Sequence, residues 1–185
     1  MILKSLLIIS LVIFPLFASA HNLTTGERLP AVGVDDKGEL NYVNNDFSYS
    51  RWNSAKLSGK VRVVQHIAGR TSAKALNTPL DDAIGSANLP RDRYQTTTII
   101  NTDDAIIGTG MFVNSSIKSG KEEFPWSQVI VDSQGLVKKA WELEPKSSAV
   151  VVLDKNGVIK FVKEGALTQE EVQQVIAMLH QLVTE

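Results

Sequence analysis

The chain has no cysteine in 185 residues. That absence excludes disulfides, thiolate metal sites and thiol catalysis together. An excess of one charge sign is lacking too, since 19 Lys and Arg residues face 20 Asp and Glu residues. Without a basic excess there is no electrostatic footprint for nucleic acid or for an anionic membrane as partner. No repeat, low-complexity linker or charge run divides the sequence, so residues 21–185 read as one domain, of a size that buries an ordinary core.

Long apolar runs are scarce as well, and the one present stands at the start. Met1–Lys4 is short and positively charged, Ser5–Phe17 is apolar and interrupted by Pro15, and Ala18, Ser19 and Ala20 supply small residues for cleavage. This pattern reads as a secretory signal peptide over residues 1–20, cut between Ala20 and His21. The run is too short to anchor the chain, because a spanning helix needs roughly 20 apolar residues.

What is present alternates between strand and helix patterns. "TGERLPAVGVDDKGELNYVNNDFSY" reads as short extended pieces around a turn at Asp35–Gly38. "VRVVQHIA", bounded by Gly59 and Gly69, suits a strand buried on both faces. From Ser72 to about Ala87, Ala73, Leu76, Leu80, Ala83, Ile84 and Ala87 recur at helical spacing. Thr71 or Ser72 is the expected cap of that helix and Pro79 its expected kink. "RYQTTTIINT" reads as a strand and "GMFVNSSIKSGKEEF" as a short, weak helix. "QVIVDSQGLVKKAW" and "AVVVLDKNGVIKFV" both read as hairpin-like units around an Asp-x-x-Gly turn. The last helix is announced by a Thr168/Glu171 capping box and by the stripe Val172, Val175, Ile176, Leu179, Leu182 and Val183. The order of elements points to an α/β fold whose sheet has parallel members.

Three pieces, in their order, resemble the thioredoxin-like fold of the peroxiredoxin and periplasmic thiol-reductase type. These are "GERLPAVGVDDKGEL", "LSGKVRVVQHIAG" and "SSAVVVLDKNGVIKFVKEGALTQEEVQQVIAMLHQL". "VRVVQHIAGRTSAK", "RYQTTTIINTDDAI", "FPWSQVIVDS" and "SSAVVVLDK" are more specifically similar to the YtfJ family of small periplasmic proteins. The resemblance implies a three-layer α/β sandwich with a mixed central sheet and a periplasmic address. It implies no activity, for that family is functionally uncharacterised. The label of transcriptional regulator sometimes attached to it agrees poorly with a leader and a chain lacking a basic recognition helix.

By the same resemblance, redox-active members carry a cysteine pair at the start of the first helix, where the helix end stabilises a thiolate. Aligned on Pro79, the two positions hold Thr71 and Lys74; aligned on the strand end they hold Arg70 and Ala73. The cis-proline that faces the pair falls at Ser148, or at Ser147 if the loop shifts. With the chemistry gone, Arg70, Thr71, Ser72, Lys74 and Ser148 remain as candidates for binding a peptide or a small anion on one surface. Thr71 and Ser72 serve equally as ordinary helix caps with solvated cations beside them.

His66 stands polar within an apolar strand. It reads either as a base for a Thr71 or Ser72 nucleophile, in a hydrolase or transferase, or as a hydrogen-bonded interior histidine. Asp103 and Asp104 end the next strand and are the acids within reach of that edge. A third reading is a structural or stress-related partner protein, whose sign would be an exposed apolar patch. Cleavage would give His21 a copper-chelating amine and imidazole, but the second histidine would have to be His66 or His180, and no metal or other cofactor is expected. The aspartates match no EF-hand spacing. Trp126 is left between a cleft rim and the core, whereas Trp52 and Trp141 are expected to be buried.

Overall fold

A computed structural model describes residues 21–185, so the leader read over residues 1–20 lies outside the described residues. Among the described residues seven strands form one mixed sheet. In chain order they are β1 Gly33–Val43, β2 Asp46–Asn53, β3 Val61–Ala68, β4 Tyr94–Asn101, β5 Gln128–Asp132, β6 Ser148–Leu153 and β7 Ile159–Glu164, and across the sheet they run β2-β1-β5-β4-β3-β6-β7. β3, β4 and β5 are parallel to one another, and the remaining pairings are antiparallel. The α-helices among the described residues are α1 Thr71–Ala75, α2 Thr78–Ser86, α3 Gly110–Glu123, α4 Leu136–Trp141 and α5 Gln169–Leu182.

The period of two along each strand sorts the core into two layers. On one face Val63, Val150 and Val152 pack with Leu80 of α2 and with Val172, Val175 and Leu179 of α5. Further along the same face α3 places Ile117 against Leu40, Val129 and Val131. On the opposite face Val64, Ile99, Ile130 and Val151 pack with Val137 and Trp141 of α4 and with Leu23 of the N-terminal segment. Every residue of β3 is buried, as its apolar run requires of a central strand covered on both sides. Trp52 and Trp141 are buried, and the Trp141 indole N–H donates to the carbonyl of Pro30.

Four local expectations are corrected. The turn near the N-terminus is not Asp35–Gly38 but Asn44 and Asn45, both at positive φ, which close the β1/β2 hairpin. Gly38 instead occupies an irregularity of register inside β1, at φ +77, where an added Cβ would lie 2.3 Å from the carbonyl oxygen of Ser50. The helix read from Ser72 to Ala87 is two helices, interrupted at Leu76 and Asn77, because Pro79 fits the first turn of a new helix better than the interior of a long one. The segment Gly110–Glu123 is a full 14-residue helix, which the buried Ile117 and Lys121 hold in place despite its weak amphipathic pattern. The unit at Asp132–Gly135 is a strand-to-helix turn and not a hairpin: the Asp132 carboxylate accepts the N–H groups of Gln134, Leu136 and Val137, starting α4. The second such unit is the expected hairpin, β6 to β7. α5 carries both arms of its capping box between Thr168 and Glu171.

Candidate functional site

The parallel strands β3, β4 and β5 end side by side at Ala68, Asn101 and Asp132. Ligands of open α/β sheets collect at such carboxyl ends. Here Gly69 donates its N–H to the carbonyl of Asn101, and Ala68 donates to the carbonyl of Ser147. The close approach at Gly69 has a geometric cause, since an added Cβ would meet the Asn101 carbonyl at 3.2 Å and Ala105 Cβ at 3.3 Å.

Asp104, in the short 3-10 turn Thr102–Asp104, joins most of the surrounding segments. Its carboxylate accepts Lys138 Nζ at 2.8 Å, Asn101 Nδ2 at 3.0 Å and the Lys146 N–H at 3.1 Å, while its carbonyl accepts Arg70 Nε at 2.7 Å. Burial pushes this carboxyl up, but the Lys138 and Lys146 hydrogen bonds and the Lys138 charge outweigh it and hold it below the usual carboxylate range. Asp103 adds a longer contact to Lys138, at 3.7 Å.

His66 is 3% exposed, and its Nε2 meets no hydrogen-bond partner among the described residues. Burial depresses its pKa to about 4, with the Asp104 charge acting in the opposite sense. His66 shares the face of Val64, toward α4 and the Asp104–Lys138 pair. α1, by contrast, packs Ala73 on Ile67, whose side chain lies on the other face. The imidazole Nε2 therefore bonds neither the Thr71 nor the Ser72 hydroxyl.

The remaining candidates divide by exposure. Thr71, Ser72 and Lys74 are exposed and Arg70 is half-buried. Arg70 stands at the position before the first helical residue, and no side chain caps the helix, so Thr71 and Ser72 do not act as its cap. Ser148 does not join them on the surface. It is buried, and its hydroxyl bonds Asn77 Oδ1 at 2.8 Å, tying the α1/α2 break to the start of β6. Asn77 is itself fully buried and its Nδ2 meets no partner among the described residues.

One feature of this edge went unread in the sequence. The segment after Asp104 carries Ile106, Ile107, Met111 and Phe112 exposed to solvent, Ile107 completely. It is anchored by Ala105 against Gly69 and folded by hydrogen bonds from Thr109 to the Ile106 carbonyl. The signal was "AIIGTGMFV", two apolar doublets separated by a glycine-rich turn, which fits neither a strand nor a helix period.

Elsewhere, Trp126 is exposed before β5, with the Arg91 guanidinium 3.8 Å over its ring and Phe124 against its edge. His21 accepts the Leu23 N–H, and His180 is exposed on α5. No group of three His, Cys, Asp or Glu residues that could hold a metal ion occurs among the described residues, and no described helix is long and apolar enough to cross a membrane.

A mixed sheet covered on both faces, with its first helix starting at the end of β3, is the thioredoxin-like fold, here in a chain without cysteine. Among solved structures, a candidate protein disulfide isomerase from Bacteroides thetaiotaomicron superposes with a TM-score of 0.62 at 14% identity. The match covers 89% of this chain and 93% of that one. The chain belongs to the family described as bacterial protein of unknown function (YtfJ_HI0045), whose pattern matches residues 23–182. The uncharacterized protein YtfJ of Escherichia coli K12 is 58% identical over 99% of this chain and 100% of its own length. An uncharacterized protein of Haemophilus influenzae is 50% identical over 92% and 93%.

Proposed function

We propose that this protein is a thiol-free thioredoxin-like binding module. It receives an extended, largely apolar segment of another polypeptide at the carboxyl ends of β3, β4 and β5. The carrying observation is the exposed group Ile106, Ile107, Met111 and Phe112, held beside Gly69 and Arg70. An apolar cluster of this kind on a soluble domain marks an interaction surface. Arg70 and Lys74 next to it would read polar or acidic groups flanking the apolar stretch.

A peptide is favoured over a small anion because α1 is a single turn of five residues, too short to sum a useful helix dipole. A peptide is also favoured over Ser/Thr–His catalysis, because His66 Nε2 bonds neither the Thr71 nor the Ser72 hydroxyl. The leader pattern supports a periplasmic address, checked by N-terminal mass analysis of the protein from a periplasmic extract.

The test is fluorescence anisotropy with labelled peptides of graded apolar content. Apolar peptides are expected to bind. Replacing Phe112 with Ser should weaken them by about tenfold or more, because burying one such side chain contributes roughly 1.5–3 kcal/mol. Absence of binding, or equal binding by the variant, would remove this reading.

A further inference from the structure

The two edges of the sheet are treated differently. At β7 the N-terminal segment covers the start of the edge: Gly26 donates to the Ile159 carbonyl and Ile159 donates to the Glu27 carbonyl, both at 2.8 Å. Lys160 and Lys163 add charge there, paired with Asp154 and Glu171. Such devices discourage strand addition. β2, at the other edge, has no strand beyond it among the described residues and contains neither proline nor lysine.

The pattern of hydrogen bonds along β2 is specific. The two-residue turn makes Val43 and Asp46 a hydrogen-bonded pair, so Ser48 and Ser50 also bond toward β1, while Phe47, Tyr49 and Arg51 direct their backbone groups outward. Two of these outward groups are satisfied within the chain. Phe47 N–H donates to Asp46 Oδ1 at 2.9 Å, and the Arg51 carbonyl accepts Lys56 Nζ at 3.0 Å. By this register the Phe47 carbonyl, both groups of Tyr49 and the Arg51 N–H also point outward, and no side chain among the described residues bonds them.

We propose that β2 pairs with β2 of a second copy, antiparallel, with the two-fold axis at Tyr49. In that register Tyr49 exchanges both bonds with its counterpart, and each Arg51 N–H donates to the opposite Phe47 carbonyl. The four open groups of one copy thus match the four of the other. The two groups already satisfied internally are those that would have met each other. Side chains agree with the register: Tyr49 faces Tyr49, Phe47 faces Arg51 and Ser48 faces Ser50, so no like charges are opposed across the pair. A self-complementary set of donors and acceptors favours a second copy over an unrelated strand.

The absence of native cysteine makes the test direct. Opposed residues of a hydrogen-bonded antiparallel pair lie about 5.5 Å apart at Cα, within the range a disulfide spans. Tyr49→Cys is therefore expected to oxidise to a covalent dimer, and Ser48→Cys, off the axis, to remain largely uncoupled. Sedimentation equilibrium of the unaltered protein should show a dimer. Tyr49→Pro should show a monomer, because it removes an N–H that β1 does not use and edge strands tolerate proline there. A monomeric unaltered protein, a dimer that survives Tyr49→Pro, or equal coupling at positions 48 and 49 overturns the proposal. A β2 edge that instead takes up a foreign strand appears as the first of these.

Discussion

Arg62 and His66 lie on the same face of β3, four residues apart, and both are buried, at 5% and 3% exposure. Arg62 donates to the carbonyls of Leu57 and Lys56 and to Gln95 Oε1, Thr97 Oγ1 and Gln128 Oε1, all within 3.1 Å. Gln128 passes the contact on to Glu39 through its Nε2 at 3.0 Å. A buried cation so fully satisfied is part of the framework, locking β3, β4 and β5 at their amino ends. His66, at the carboxyl end, has an Nε2 with no partner among the described residues. One strand thus carries a polar group that stabilises the fold and another that weakens it, and the weak end is the carboxyl end of the parallel strands. Strand alternation fixed both on the same face; only the supply of partners separates them.

The largest effect expected from breaking this contrast is at Arg62. Arg62→Met leaves several buried acceptors short of a donor and should cost about 3–5 kcal/mol in urea unfolding. Second comes His66. The folded protein keeps it neutral down to about pH 4, whereas the unfolded chain takes up its proton near pH 6.5. Between these values the unfolded state binds more protons, so stability falls as pH falls, by roughly 3 kcal/mol across the window. His66→Leu should flatten that slope between pH 6.5 and 4, and an unchanged slope would show that the imidazole is charged in the fold. The smallest effect belongs to Ser148→Ala, which strips Asn77 of its one side-chain partner and should cost about 1–3 kcal/mol. If it costs nothing, the α1/α2 break does not depend on β6.

The framework was readable because its causes are local. β3 and β4 are β-branched runs, and α5 carries its capping box and stripe in plain order. Errors arose where one motif serves two geometries. Asp-x-x-Gly precedes a strand at Asp154 but a helix at Asp132, and what decides is that Asp132 is buried and caps Val137. The Asn44–Asn45 turn was legible in principle, since two asparagines between extended runs suit paired left-handed residues. The site was less legible. Ser148 was expected on the surface, yet register places it opposite Ile67, under α1. Nor does sequence spacing show that residues 70, 101, 138 and 146 converge on Asp104.

That convergence bears on the order in which the molecule assembles. Asp104 is satisfied only when Arg70, Lys138 and Lys146, contributed by three separate segments, have all arrived. Contacts of such sequence separation form late, after the loops that carry them are closed. The edge bearing the exposed apolar residues is therefore the last to organise and the first to open. Amide exchange at Lys146, whose N–H rests on that carboxylate, should run faster than at Val64 in the centre of β3.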